Sequence, residues 1–298
     1  MLNKFFDLNF LLKNLLFEKQ NSKFDYIFNF SGPNTLNHII CKDVYKCDKK
    51  FIWIHSEYSL TKNDPKKYKN IFNKYDYIFA VSKVLTKELC NSLPKLQNKI
   101  KTLYNVVDRN FIINLSNDSQ IGFKDNFNGG NRILSVGRLD YIKGFDIAIK
   151  ACKILIDKGY DIKWYILGQG EEKENLIDLI KQNNLDNKFI LLGAFSNPYP
   201  FFKNCDIYVQ SSRSEAYCLT LAEAKIFNKP IVTTVFPGTY EQIKDNETGI
   251  IVDTNPKSIA DGVENLLESD ELRKKISLNL SKEKKGINSF LELEKYLV

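Results

Sequence analysis

The chain is expected to be an α/β protein with two doubly wound parallel-sheet domains facing each other across a cleft. Three observations predict this. Short runs rich in Ile, Val, Phe and Tyr recur along the 298 residues with helically spaced segments between them, the order that parallel strands and crossover helices require. A polar, Gly/Asn-rich stretch at 116–131 divides the series in two and reads as a linker. The length, with 43% apolar and 13% aromatic residues, supplies a sizeable core to each half.

The N-terminal half is read as a domain over residues 1–115. Residues 3–19 carry Phe6, Leu8, Phe10, Leu11, Leu12, Leu15, Leu16 and Phe17 among Lys and Asn, a wide apolar face on an amphipathic helix. Strands follow at 24–33, 51–56, 75–82 and 100–108. His55 stands near the carboxyl end of the second, and Ser82 can cap a helix over 84–90. After the linker, residues 132–285 form a cleaner series. Strands are expected at 132–137, 163–168, 189–193, 207–211, 230–234 and 249–252. Helices are expected at 145–158, 172–183, 219–227, 258–267 and 271–280, with short turns at 198–203 and 240–243. Residues 286–298 are assigned to a terminal helix.

The same composition excludes several classes. Aromatic and aliphatic content is too high for a disordered chain. The 14 Gly and 8 Pro, with no sustained heptad, fit neither collagen nor a coiled coil. No apolar run reaches about 20 residues, so no spanning helix is expected, and the start lacks a secretory cleavage pattern. Six scattered cysteines without a Cys-x-x-Cys pair, and two histidines, do not make a zinc site. Reduced thiols and a cytoplasmic location are the simple expectation. The first 120 residues hold 19 basic and 11 acidic residues, and the remainder hold 24 and 25, so the whole excess of positive charge lies in front. A solvated lysine-rich surface accounts for it. So does peripheral docking to the anionic inner face of the plasma membrane, whereas no nucleic-acid recognition motif accompanies it.

Ligands of open parallel sheets bind beyond the carboxyl ends of the strands. Four polar sets fall there in the second half. Gly137, Arg138 and Lys143 follow the 132–137 strand; two fixed cations there suit a diphosphate, or are simply surface charges. Gly168-Gln169-Gly170 is half a dinucleotide fingerprint. The third glycine is missing, however, and Glu171 and Glu172 open the next helix, so it reads as a tight turn. Glu215 lies in a loop at a strand end, with Glu223 inside the helix that follows. The amides near Cys218, Leu219 and Thr220 open that helix and form an anion site. A carboxylate cannot hold phosphate, but it can hold the vicinal hydroxyls of sugars and riboses. Glu241 reads equally as a helix-start charge or a site residue.

With these residues in order, the chain resembles the retaining glycosyltransferases of family 4, which have the GT-B fold of two Rossmann-like domains. The resemblance covers about residues 24–268 and is strongest over 132–253, through Gly137-Arg138-Leu139, Lys143-Gly144, Glu215 to Glu223, and Thr248-Gly249. It implies sugar transfer with retention of configuration, from a nucleotide-sugar donor (a UDP-sugar is expected) to a glycan or lipid-linked acceptor in surface-polysaccharide synthesis. By resemblance, Arg138 and Lys143 bind the diphosphate, Glu215 the sugar hydroxyls and Glu223 the ribose diol. Amides at Cys218, Leu219 and Thr220 contact phosphates, Ala194 and Phe195 border the base, and His55 faces the donor sugar. No tightly bound cofactor is implied; Mg²⁺ at most accompanies the nucleotide. Three departures stand out. Ala216 takes a position often held by Gly, a strained choice if φ there is positive. Val235-Phe236-Pro237 replaces smaller or polar residues. The leading βαβ units of the N-terminal domain are missing, so that domain is expected to be incomplete and turnover poor. A truncated, inactive nucleotide-sugar-binding protein and a GT-B epimerase are the alternatives, the latter disfavoured by the scarcity of histidine.

Overall fold

The computed structural model describes residues 23–33, 46–55, 68–127, 129–283 and 289–297. The apolar helix expected at 3–19 lies outside them. The chain forms two compact units, one of residues 1–104 with 289–298 and one of residues 105–288.

Among the described residues the first unit holds four parallel strands in the order β1-β2-β3-β4: Lys23–Asn29, Lys46–Ile54, Tyr77–Ala80 and Ile100–Thr102. Helix α1 (Lys69–Phe72) precedes β3 and α2 (Lys83–Ser92) follows it. Ser82 caps α2 as expected, its hydroxyl accepting from Leu85 N at 3.1 Å. Alternate residues of a strand share a face, and on one face aromatics line up across the sheet: Phe28 stacks on Phe51 and Phe51 on Phe79. The fourth strand is shorter than expected. It stops at Thr102, and the chain then turns so that Asp108 can cap α3 (Arg109–Leu115), accepting from Phe111 N at 3.0 Å.

The second unit is a six-stranded, all-parallel sheet. In chain order its elements are β5 (Asn131–Val136), α4 (Phe145–Asp157), β6 (Ile162–Leu167), α5 (Lys173–Gln182), β7 (Phe189–Gly193) and α6 (Tyr199–Asn204). Next come β8 (Ile207–Gln210), α7 (Leu219–Ile226), β9 (Ile231–Thr234), α8 (Thr239–Gln242) and β10 (Ile250–Val252), and then α9 (Pro256–Glu268) and α10 (Asp270–Lys282). The sheet order is β10-β9-β8-β5-β6-β7. The chain therefore winds outward from β5 in one direction and returns to begin β8 at its other side. That reversal is the topological switch point where such sheets open a binding crevice.

Strand residues such as Ile133, Leu134, Trp164, Ile166, Tyr208 and Val209 are fully or almost fully buried. The one polar atom on the Trp164 ring is satisfied in the core: Nε1 donates to Ser135 Oγ at 3.0 Å, and that hydroxyl donates to Val209 O at 2.6 Å.

The expected linker at 116–131 departs from the structure. The units divide between Tyr104 and Asn105, and the polar stretch is docked on the second unit. Asp125 accepts hydrogen bonds from Arg132, Lys163 and the Tyr165 hydroxyl. Arg132 and Lys163 both stand over the Phe127 ring, and Phe123 packs on Tyr165 and Phe201. The terminal helix α11 (Ser289–Leu297) joins the first unit, with the Tyr296 ring 4.9 Å from that of Tyr77.

Candidate functional site

The site sits in the second unit, at the carboxyl ends of β5 and β8 on either side of the switch point. Beyond β5 the chain makes a tight turn through Gly137 and Arg138, and Asp140 caps a 3₁₀ turn over Tyr141–Lys143 by accepting from Lys143 N at 3.1 Å. Gly144 then adopts a left-handed conformation at φ +66°, and a Cβ there would lie 2.2 Å from Ser211 O. Glycine is thus required twice over. The close approach lets Ser211 Oγ donate to Lys143 O at 2.9 Å, sewing the turn after β5 to the end of β8.

That seam delivers the central pair. Lys143 Nζ lies 2.5 Å from Glu215 Oε1, with side-chain exposures of 16% and 15%. Burial, the largest single influence, works against the ammonium, but Glu215 foremost, together with Cys218 and Asp140, outweighs it and raises the Lys143 pKa above the ordinary lysine value. The same carboxylate oxygen accepts from Ser212 Oγ at 2.9 Å. Behind Ser212 runs a satisfied relay: Gln210 Nε2 donates to Ser212 Oγ at 2.7 Å, while Gln210 Oε1 accepts from Tyr208 at 2.6 Å and Thr220 at 3.1 Å. Glu215 and the start of α7 are therefore tied to one buried amide. Arg213 braces the loop from outside. It forks onto Asp146 at 2.8 and 2.7 Å, donates to Tyr141 O at 2.6 Å and stands 3.9 Å from the centroid of the Tyr141 ring.

Helix α7 begins at Leu219 with Cys218 as its N-cap, and the Cys218 side chain caps no amide. The first amides of the helix have no acceptor within it and point past its end. Desolvation pushes the buried Cys218 thiol up to about 12, so it stays neutral beside them. The Cys218 backbone is clamped by the Gln242 side chain. With its amide turned to satisfy both groups, Gln242 donates to Cys218 O and accepts from Cys218 N, each at 3.1 Å. One turn inside α7, Glu223 accepts from the Tyr199 hydroxyl at 3.2 Å. Desolvation raises the Glu223 carboxyl to about 7 against the opposing Tyr199 hydrogen bond.

The structure thus brings Lys143, Glu215, Cys218, Leu219, Thr220 and Glu223 into one connected set. Gly137 underlies it, since a Cβ there would press the Lys143 stem at 3.1 Å. Arg138 lies on the rim, 79% exposed and paired with Asp140 at 2.9 Å. Ala194 and Phe195 follow β7 and are exposed, the Phe195 ring packing edge-on to Phe201. Glu241 occupies the first turn of α8, near enough to Tyr217 to contribute to raising that phenol. His55 belongs to the first unit, just past the end of β2; it is exposed, yet partial desolvation lowers its pKa below the ordinary value. Gly168 and Gly170 are explained by packing. A Cβ at Gly168 would lie 1.8 Å from Gly137 O, and one at Gly170 2.3 Å from Leu139 O. These glycines support the turn that carries Arg138 and Lys143. Ala216 is buried and is not among the non-glycine residues with positive φ, which are Asn184, Asn228 and Asn246 among the described residues, so the expected strain is absent. Among the described residues no cluster of His, Cys, Asp or Glu could hold a metal ion. Sequence reading passed over Gln210, Ser212, Arg213, Gln242 and Tyr199: the last three act through contacts distant in sequence, and Gln210 and Ser212 through a side-chain relay among near neighbours that only the folded loop forms.

A doubly wound unit with a cation, a helix start and two carboxylates at its switch point is a domain suited to an anionic ligand that also bears hydroxyls. The comparisons agree: the chain belongs to the family described as glycosyl transferases group 1, whose model matches residues 117–283. A Campylobacter jejuni N-acetylgalactosamine-N,N'-diacetylbacillosaminyl-diphospho-undecaprenol 4-alpha-N-acetylgalactosaminyltransferase is 34% identical over 206 residues, which is 68% of this chain and 54% of that protein. The Staphylococcus aureus capsular polysaccharide biosynthesis glycosyltransferase CapM is 31% identical over 150 residues, 48% of this chain and 38% of its own. The chain spans about half the length of the curated relatives it matches. Among solved structures, Anabaena HepE in complex with UDP and glucose superposes with a TM-score of 0.78 at 17% identity, over 92% of this chain and 77% of that one. The two parallel-sheet units thus have the GT-B fold.

Proposed function

We propose that the protein is a retaining glycosyltransferase that moves a sugar from a nucleotide-sugar donor, a UDP-sugar, to a glycan or lipid-linked acceptor in surface-polysaccharide synthesis. The observation that carries this reading is the Lys143–Glu215 pair held beside the open start of α7, with Glu223 one turn inside it. A diphosphate between a nucleoside and a sugar needs cations and amides at its centre and acceptors for hydroxyls on both sides. This set has both. Fold neighbours support the donor class, since HepE was solved with UDP and glucose and pneumococcal GtfA with UDP and GlcNAc.

In this reading the bond from the anomeric carbon to the diphosphate oxygen breaks, and a bond to the acceptor oxygen forms on the same face. Negative charge grows on the leaving diphosphate, which takes up the acceptor proton directly or through solvent. Lys143, Arg138 and the amides at Leu219 and Thr220 stabilise that charge without reorganising during the step; the Cys218 amide, expected to join them, is already held by Gln242. Glu215 holds sugar hydroxyls, Glu223 holds the ribose diol, Ala194 and Phe195 border the base, and His55 is assigned to the donor sugar by the family resemblance. No resident metal has a role; Mg²⁺ would arrive with the nucleotide. The location is taken to be cytoplasmic, with peripheral contact between the basic first 120 residues and an anionic membrane; among the described residues no helix is long and apolar enough to cross one.

The test is calorimetry with UDP, GDP and ADP, followed by a donor-hydrolysis and transfer assay. Saturable binding with turnover supports the enzyme. Binding without turnover would favour the nucleotide-sugar-binding alternative, and no binding would remove the donor reading.

A further inference from the structure

We propose that Tyr199 is a positioning residue for donor binding: its phenol ties down one oxygen of Glu223 and leaves the other to grip the vicinal diol of the nucleotide's ribose. This rests on the donor reading above. The Tyr199 hydroxyl lies 3.2 Å from Glu223 Oε1, and it is the only protein hydrogen-bond partner of that carboxylate among the described residues. Glu223 is half-buried and its second oxygen is not sealed: among the described residues the sealed and partnerless side-chain atoms are Arg132 Nε and Ser289 Oγ. One oxygen is anchored and one is open, which is the arrangement that aims a carboxylate.

Tyr199 is itself fixed. It opens α6 after Pro198, its amide donates to Asn197 Oδ1 at 3.3 Å, and Asn197 Nδ2 donates to Leu115 O at 2.9 Å. Its ring packs against the cluster of Val107, Ile112 and Ile226, where α3 meets α7. The phenol therefore reports to Glu223 from a separate, packed element.

The contact also governs charge. Two ribose hydroxyls are best held by an ionised carboxylate, which is acceptor-only. Desolvation brings the Glu223 carboxyl up to about 7, and the hydrogen bond from Tyr199 opposes that rise. Burial and Glu223 together push the Tyr199 phenol up to about 12, so it stays a donor through the neutral range. The other titratable groups on neighbouring elements are Lys203 on α6, Tyr208 on β8, Arg109 on α3 and, on α7 and its cap, Lys225 and Cys218. Lys203 is bonded to Asn117 and Lys225 to Gln242 O and Glu283, while Tyr208 is buried and bonded to Gln210. None of these supplies the counterweight that Tyr199 does.

The experiment measures the Kd of wild type and of Tyr199→Phe from about pH 6 to about pH 9, where a carboxyl near neutrality titrates. The probe is whichever of UDP, GDP and ADP the wild type binds most tightly, together with its 2′,3′-dideoxy analogue. Glu223→Gln, whose amide does not titrate, reports the ligand's own ionisation. Tyr199→Phe is expected to keep the melting behaviour of wild type, to bind the diol-bearing probe about tenfold more weakly at neutral pH and to recover at the alkaline end. Its affinity for the dideoxy analogue should match wild type. A Tyr199→Phe profile identical to wild type, or an equal loss for both probes, would overturn this inference and leave the donor reading standing. Absence of saturable binding of all three nucleotides to wild type would overturn both.

Discussion

Replacing Lys143 by Ala separates the two things this side chain does. With both partners of the Lys143–Glu215 pair about one-sixth exposed, removal of the ammonium strands a largely buried carboxylate whose remaining partner is the Ser212 hydroxyl. Breaking a fully buried pair costs about 3–5 kcal/mol, and the residual exposure of this one brings the expected loss of stability to about 1–3 kcal/mol. The proposed catalytic loss is larger: a preorganised donor to developing charge contributes about 3–4 kcal/mol, or about 10²–10³-fold in rate. The double variant Lys143→Ala with Glu215→Gln tells them apart. Neutralising the stranded carboxylate should restore most of the stability while leaving transfer as slow as in the single variant or slower. Denaturant unfolding and a donor-turnover assay on the three proteins read both effects. If Lys143→Ala kept nucleotide affinity and turnover within about threefold of wild type, the assignment of the ammonium to the diphosphate would fail.

The segment holding Asp125 should make the second unit acid-sensitive. Burial alone would raise this carboxyl, but hydrogen bonds from Tyr165, Lys163 and Arg132 hold it at about 2. A depressed carboxyl contributes stability that is present above the unfolded value near 3.8 and is lost as pH falls through about 2, so Asp125→Asn should remove about 2 kcal/mol at neutral pH and flatten the acid limb of a pH–stability curve. Gly170→Ala places a methyl group 2.3 Å from Leu139 O and must displace the turn carrying Lys143, so nucleotide affinity should fall along with about 1–3 kcal/mol of stability, as calorimetry and unfolding would show. Arg213→Lys keeps the charge but not the fork onto Asp146 or the guanidinium face over Tyr141; unfolding should show a loss of about 1–2 kcal/mol, close to that of Arg213→Ala.

Strands of the second unit were legible because strands covered on both faces read as unbroken apolar runs. Expected spans of 132–137, 163–168 and 207–211 meet Asn131–Val136, Ile162–Leu167 and Ile207–Gln210. The same signal misled at 100–108. Val106 and Val107 look like strand residues, but Val106 is exposed and Val107 packs beside Ile112 and Ile226, after the chain has left the sheet. At 116–131 the average polarity hid three decisive residues. Phe123, Phe127 and Asp125 find their partners at Tyr165, Phe201, Arg132 and Lys163, and composition carries no record of such distant contacts. The site divides in the same way. Lys143, Glu215 and Glu223 lie at strand ends or a helix start and announce themselves by position. Tyr199 and Arg213 act on Glu223 and Asp146, which are 24 and 67 residues away in the chain, and only the fold brings them together.

The pairing seen here also bears on how a donor would enter. An isolated ammonium and an isolated carboxylate at a crevice would each lose water at a cost of several kcal/mol, whereas Lys143 and Glu215 satisfy one another beforehand. In the proposed complex both partners change together: the ammonium moves to a phosphate oxygen and the carboxylate to sugar hydroxyls, so neither charge is left unpaired along the way. A ligand with only one half of that chemistry breaks the pair without completing the exchange. A free nucleoside diphosphate strands Glu215, and a free sugar leaves Lys143 without its phosphate. Affinity for the intact nucleotide sugar should therefore exceed that for either fragment by more than the lost contacts alone imply, and Ser212, which remains on Glu215 throughout, limits the penalty for the diphosphate. Discrimination for a whole donor over its product would follow from the ion pair itself, favouring product release after the sugar has gone.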